Sequence, residues 1–174
     1  MAISLDSLRD AAKRSSARII EKSLAEARAK GQPTAFLCHS HYDHEMAVGL
    51  QVLLNEHGWD LYIDWQDTQM PETPNQETAQ RIQKKIKDLD WFLFLATPNS
   101  TSSRWCPWEI GYADSAKPKD NILIIATYDR SGKYYGNEYL QLYRQITDAK
   151  GEGLTGLAAF DPGSSSGGTW VKSL

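Results

Sequence analysis

Three short runs, Thr34–Cys38, Trp91–Ala96 and Ile122–Ala126, are apolar almost without a break and are bounded by polar or proline-containing sequence. Successive side chains of a strand point to opposite faces, so unbroken apolarity over five or six residues means that both faces are covered. A sheet with one wet face would alternate instead. Between these runs lie segments with helical periodicity, and strands that alternate with helices are the pattern of a parallel sheet packed between two helical layers. Weaker strands over Trp59–Ile63 and Leu157–Phe160 complete a set of five. Right-handed crossovers in so short a chain favour a flavodoxin-like strand order, so the expected fold is an α/β three-layer domain with a five-stranded parallel sheet.

The helices are read from spacing. Met46, Leu50, Leu53, Leu54 and His57 recur every three or four residues, with Asp43 placed to cap the start and Gly58 to close the end. Ala79, Ile82, Ile86 and Leu89 mark a second helix from Asn75, with Lys84, Lys85 and Lys87 expected on its solvated side. A third carries Trp105, Glu109, Ile110, Tyr112 and Ala113, and a fourth is expected over Glu138–Thr147. Ser4 to Lys30 is rich in helix formers and lacks Gly and Pro until Gly31, which predicts one long helix. Its thin apolar stripe of Leu5, Leu8, Ala12 and Ile19 needs a surface to pack on. After Asp161 the serines and glycines predict a flexible tail. The expected division is a helical extension over 1–31, one domain over 32–160 and a tail over 161–174.

Composition removes several classes of function. A chain of 174 residues, 41% hydrophobic and 24% charged, has the make-up of one folded domain. Its net charge of -3 gives no broad attraction for phosphates, so no nucleic-acid partner is expected. No apolar run approaches the roughly 20 residues that span a bilayer, and the N-terminus does not read as a secretory signal, so no membrane association and a cytoplasmic location are expected. Cys38 and Cys106 fit no zinc or disulfide framework and read as buried free thiols.

In parallel α/β sheets ligands bind at the carboxyl ends of the strands, which selects His39 to Asp43, the loop from Asp64 to Pro74, and Thr97 to Glu109. No G-x-G-x-x-G or G-x-x-x-x-G-K-S/T loop is present, so Rossmann and P-loop chemistries are poor readings. His39, His41 and His44 lie close in sequence without the spacing of a metal site, and Ser40, His41 and Asp43 lack a nucleophile elbow. The sharper constellation is Ser102-Ser103-Arg104-Trp105-Cys106-Pro107-Trp108-Glu109. The serines can cap a helix whose first turn tolerates Pro107, and Trp105 and Glu109, four apart, then share a face. Spacing leaves a plainer alternative open: Trp105 and Trp108 in the core, and Glu109 a solvated carboxylate at a helix start.

With Phe36-Leu37-Cys38-His39-Ser40-His41-Tyr42-Asp43, Leu61-Tyr62-Ile63-Asp64, Phe94-Leu95-Ala96-Thr97-Pro98-Asn99-Ser100 and the run ending in Trp105-Cys106-Pro107-Trp108-Glu109, the sequence resembles the TIR domain family from Pro33 to Thr147. The family's Arg-Asp and Pro-Gly loop is altered here, with Trp65-Gln66 in place of the arginine and Glu72 in place of the glycine. Many TIR domains cleave NAD, and the resemblance implies that Glu109 is the catalytic glutamate and that Trp105, His39, Ser40, Asp64 and Trp65 face the substrate. The Trp-x-x-x-Glu spacing is similar to that of bacterial TIR enzymes that make cyclic ADP-ribose isomers. NAD is then substrate, with no separate cofactor and no metal. The resemblance to stand-alone bacterial TIR proteins of phage-defence systems further implies self-association through TIR surfaces, a nucleotide signal, and a separate effector protein that reads it. Two other classes stay open: a TIR adaptor that acts by docking alone, and a nucleoside deoxyribosyltransferase-like enzyme, which also uses a glutamate on a similar sheet.

Overall fold

A computed structural model of the chain describes residues 2–14, 24–151 and 153–174. In chain order these form β1 (Ile3–Ser4), α1 (Leu5–Ala12), α2 (Leu24–Ala29), β2 (Thr34–Cys38), α3 (His44–Glu56), β3 (Asp60–Tyr62), α4 (Gln76–Asp88), β4 (Trp91–Ala96), α5 (Pro98–Thr101), α6 (Cys106–Ala116), β5 (Ile122–Tyr128), β6 (Tyr134–Tyr135), β7 (Arg144–Gly151), β8 (Leu154–Phe160) and β9 (Thr169–Trp170). Five strands run parallel in the order β3-β2-β4-β5-β7, the flavodoxin-like order, and β8 and β9 extend the sheet antiparallel.

The sheet divides two cores, as its strands require. Leu37, Leu93, Leu95, Leu123 and Ile125 face α1 and α3, where Leu8, Leu50 and Leu54 are buried. On the other side Phe36, Cys38, Phe92, Phe94 and Ile124 meet Ile82 and Ile86 of α4 and Ile110 and Ala113 of α6. α4 begins with a reciprocal cap, in which the Asn75 side chain accepts from the Thr78 amide and the Thr78 hydroxyl accepts from the Asn75 amide (both 3.1 Å).

Four expectations change. The fifth parallel strand is β7, inside the segment read as a helix; only a 3-10 turn over Glu138–Leu142 is helical there. Tyr143, Ile146 and Thr147 favour extended backbone, and pairing with β5 prevails over the helical spacing. Leu157–Phe160 does form a strand, as part of β8, but antiparallel to β7. The N-terminal segment is not one long helix: β1 pairs with β5 at Thr127 and Tyr128 before α1 begins, and α2 is a separate helix. Ile19 lies outside the described residues. Nor is the C-terminal segment loose throughout. β9 pairs with Ala158 and Ala159, Val171 is buried in the core, and the Trp59 indole donates to the Val171 carbonyl (3.0 Å). The apolar pair Trp170-Val171 supplies this anchorage beyond the low-complexity stretch.

α1 lies so close to α3 that a Cβ at Gly49 would sit 1.9 Å from the Leu8 carbonyl oxygen. A backbone oxygen cannot swing aside as a side chain can, so the two helices must part. Gly49→Ala is expected to cost about 1–3 kcal/mol through overpacking, read as a fall in Tm on the order of 2–4 °C per kcal/mol in thermal denaturation. An unchanged Tm would refute the close approach.

Candidate active site

The site lies at the carboxyl ends of β2, β3 and β4. β2 runs into His39 and Ser40, and the Ser40 hydroxyl accepts from the Tyr42 amide (3.4 Å), capping a 3-10 turn over His41–Asp43. Asp43 is fully buried and does not cap α3. Its carboxylate accepts instead from the Thr97 hydroxyl (2.5 Å) and the Asn99 amide group (2.6 Å), and so ties the end of β2 to α5 at the end of β4. Thr97 in turn caps α5 reciprocally with Ser100. Two loops that border the site are thereby fixed to each other through charge-assisted bonds.

Glu109 arrives from the other side. The Ser103 hydroxyl accepts from the amides of Trp105 (3.1 Å) and Cys106 (3.4 Å), which starts α6, and the Glu109 amide donates to the Trp105 carbonyl (2.9 Å). This one-turn relation keeps Trp105 and Glu109 on a shared face. The plainer alternative is reversed: Glu109 is only 4% exposed, whereas Trp108 is 37% exposed. Trp105 is half-buried and meets Trp108 edge-on (5.6 Å), and Trp108 stacks on Tyr112 (6.2 Å). Burial holds the Glu109 carboxyl well above the usual carboxylate range; Cys106 and Asp64 add to the shift, and a hydrogen bond with the Cys38 thiol offsets part of it. Burial also pushes the Cys38 thiol up, so it stays protonated, and it donates to the Cys106 carbonyl (3.8 Å).

His39 and Asp64 complete the cluster. His39 Nδ1 lies 3.2 Å from the Leu37 carbonyl, which can only accept, so the proton is on Nδ1. Burial lowers the basicity of the ring, which leaves Nε2 a bare lone pair in the neutral form. That atom has no hydrogen-bond partner among the described residues and lies 3.9 Å from the Asp64 carboxylate. Asp64 accepts from the Trp65 amide (2.9 Å), and the exposed Trp65 ring stacks on His44 (4.6 Å between centroids). Farther along the loop, Asp67 accepts from the Tyr62 hydroxyl (2.8 Å) and pairs with Lys85 (3.3 Å), which also lies over the Tyr62 ring. Lys85 is therefore a clasp for the loop and not a solvated charge.

The structure thus brings Glu109, Asp64 and His39 together, with Trp105 one turn away and Trp65 at the rim, while the Ser40 hydroxyl is committed to its turn. Among the described residues no group of three or more His, Cys, Asp or Glu is arranged to hold a metal ion. Sequence reasoning missed the thiols beside Glu109 and the Asp43–Thr97–Asn99 tie. Cys106 stands three positions before Glu109, but Cys38 and the tie join residues distant along the chain; the available signal was that Cys38 and Thr97 stand at strand ends. A carboxyl, a carboxylate and an imidazole lone pair within electrostatic reach of one another can receive hydroxyl donors and positive charge, as at the carbon of a sugar that is losing its substituent.

Residues 35–155 match the family model described as TIR domain. The chain is also 35% identical over 118 residues to the protein named "Probable 3' cyclic ADP-D-ribose synthase ThsB'" of Bacillus cereus (strain MSX-D12). That match covers 67% of this chain and spans 60% of the relative's length.

A carboxyl whose pKa is higher folded than unfolded stabilises the fold below its unfolded value, about 4.3, and loses that contribution as pH rises through the folded value. The wild-type Tm should therefore fall relative to Glu109→Gln, which keeps the shape and cannot ionise, as pH rises above the unfolded value. Each unit of separation corresponds to about 1.4 kcal/mol. Parallel Tm–pH curves for the two proteins would show that Glu109 is not a strained acid.

Proposed function

The chain belongs to the TIR domain family, and on that premise we propose that it cleaves NAD between nicotinamide and ribose, forming ADP-ribose or a cyclic ADP-ribose isomer. The observation that carries the reading is the burial of Glu109 one turn from Trp105, within electrostatic reach of Asp64. Nicotinamide departs neutral from a cationic pyridinium, so no acid has to protonate the leaving group, unlike an ordinary glycosidic oxygen. What the reaction needs is negative charge beside the anomeric carbon as cationic character builds there. The substrate's positive charge favours ionisation of Glu109, and the resulting carboxylate acts with little screening in a site poor in water.

Trp105, one turn from Glu109, offers an apolar face on which the nicotinamide ring can stack, and holding the adenosine within reach of the anomeric carbon favours ring closure over attack by water. The relative's name supports a cyclic product. NAD is on this reading a substrate, with no resident cofactor. As in the bacterial phage-defence proteins that the sequence resembles, the product would serve in the cytoplasm as an immune signal for a separate effector, and TIR surfaces would bring copies of the chain together. No helix among the described residues is long and apolar enough to cross a membrane.

Incubating the purified protein with NAD and resolving products by chromatography should show nicotinamide together with ADP-ribose or its cyclic isomer. Glu109→Ala should lower the rate on the order of 10²- to 10³-fold. Absence of nicotinamide at high protein concentration would remove the reading, and a fully active Glu109→Ala would mean the wrong carboxyl is named. The pH profile adds a separate check. Activity requires ionised Glu109, so kcat/KM should fall as pH drops through a value above the ordinary carboxylate range. Because Asp64 helps to raise that value, Asp64→Asn should move the falling limb to lower pH.

A further inference from the structure

Glu109, Asp64 and the His39 lone pair make the proposed reaction centre acceptor-rich, which suits a cationic ribosyl group and repels phosphate. A dinucleotide held there by its pyridinium end must place its phosphates elsewhere. α5 is a single turn with two sides. Its Asn99 is bonded to Asp43, while Pro98, Thr101 and Ser102 line a cleft of about 400 Å³ whose opposite wall is the segment 133–140.

That wall is built from fixed tyrosines and one free ring. The Tyr134 hydroxyl donates to Gln145 and the Tyr135 hydroxyl to Asp129 (both 2.8 Å), whereas Tyr139 is 40% exposed and its hydroxyl has no hydrogen-bond partner among the described residues. Its backbone is unusual as well. Glu138 holds a left-handed φ of 57°, rare for a residue with a side chain, and directly precedes Tyr139. At Gly136 (φ 130°) a Cβ would come within 2.9 Å of the Tyr134 hydroxyl. Burial raises the Tyr139 pKa, so its hydroxyl stays neutral. Lys133 lies 5.5 Å from the Tyr135 ring centroid and joins no ion pair among the described residues.

We propose that this cleft is the subsite for the nucleotide half of the substrate, with the base stacked on Tyr139, the ribose hydroxyls donating to Glu138 and a phosphate beside Lys133. An aromatic face, a carboxylate and an ammonium lining one cleft match in kind the base, the diol and the anion of a nucleoside monophosphate. Arg104, exposed in the turn before Trp105, is the rival cation, but it does not line this cleft. The assignment rests on the NAD reading for its role in turnover; the binding itself can be measured without turnover.

The probe is AMP, titrated calorimetrically into the purified chain. Wild type and Glu109→Ala should bind it alike, Tyr139→Ala should weaken binding about five- to a hundredfold, and Lys133→Ala should weaken it and reduce its dependence on salt. In turnover, Tyr139→Ala should raise the KM for NAD. No heat of AMP binding, undiminished binding by Tyr139→Ala, or a loss that follows Arg104→Ala and not Lys133→Ala would overturn the assignment. AMP binding that depends on Tyr139 in a protein that releases no nicotinamide would uphold the subsite and remove only the catalytic reading. Nicotinamide release with AMP binding indifferent to Tyr139 would do the reverse.

Discussion

Burial of the central strands on both faces is the constraint from which the rest follows. β2, β4 and β5 have no wet side, so any polar group near the middle of the molecule must stand at a strand end or be fully bonded. His39, Asp43 and Thr97 stand just beyond such ends and Asp64 beyond that of neighbouring β3, and the side chains of Asp43 and Thr97 satisfy each other. The chemistry gathers at one rim because the sheet leaves it no other place. The same constraint explains why termini so far apart in sequence both pack inward: Ile3, Leu8 and Val171 complete one covering layer.

Glu109 shows what the site gives up for its position. A carboxyl this buried is unstable in its charged form, and nothing among the described residues neutralises it: its neighbours are two thiols and a second acid. A core selected for stability alone would hold an apolar residue there. In the proposed chemistry such a group is matched to a bound cation and not to the free protein, which is how a buried acid would serve at a sugar carbon.

The sheet was readable because its signal is local: unbroken apolarity over five or six residues specifies buried parallel strands, and β2, β4 and β5 lie where it pointed. β7 was misread because Glu138 to Thr147 has helical spacing, and only its neighbour β5 makes an extended strand worth more. Val171 was missed because its burial depends on Trp59, more than a hundred positions away. In the site, the one-turn relation of Trp105 to Glu109 was readable, being helix geometry. Which of the two tryptophans would face water was not, since Trp105 and Trp108 differ only in what the fold places beside them. His39 and Asp64 were named by their place after a strand; their mutual approach exists only once β2 and β3 pair.

The ring of acceptors around the reaction centre bears on how a turnover ends. In the proposed chemistry the attraction that draws the substrate in is its pyridinium charge, and scission erases that charge on the departing ring. The freed base then meets a wall of lone pairs that no longer favours it. On that reading, affinity for the outgoing fragment lapses with the bond itself.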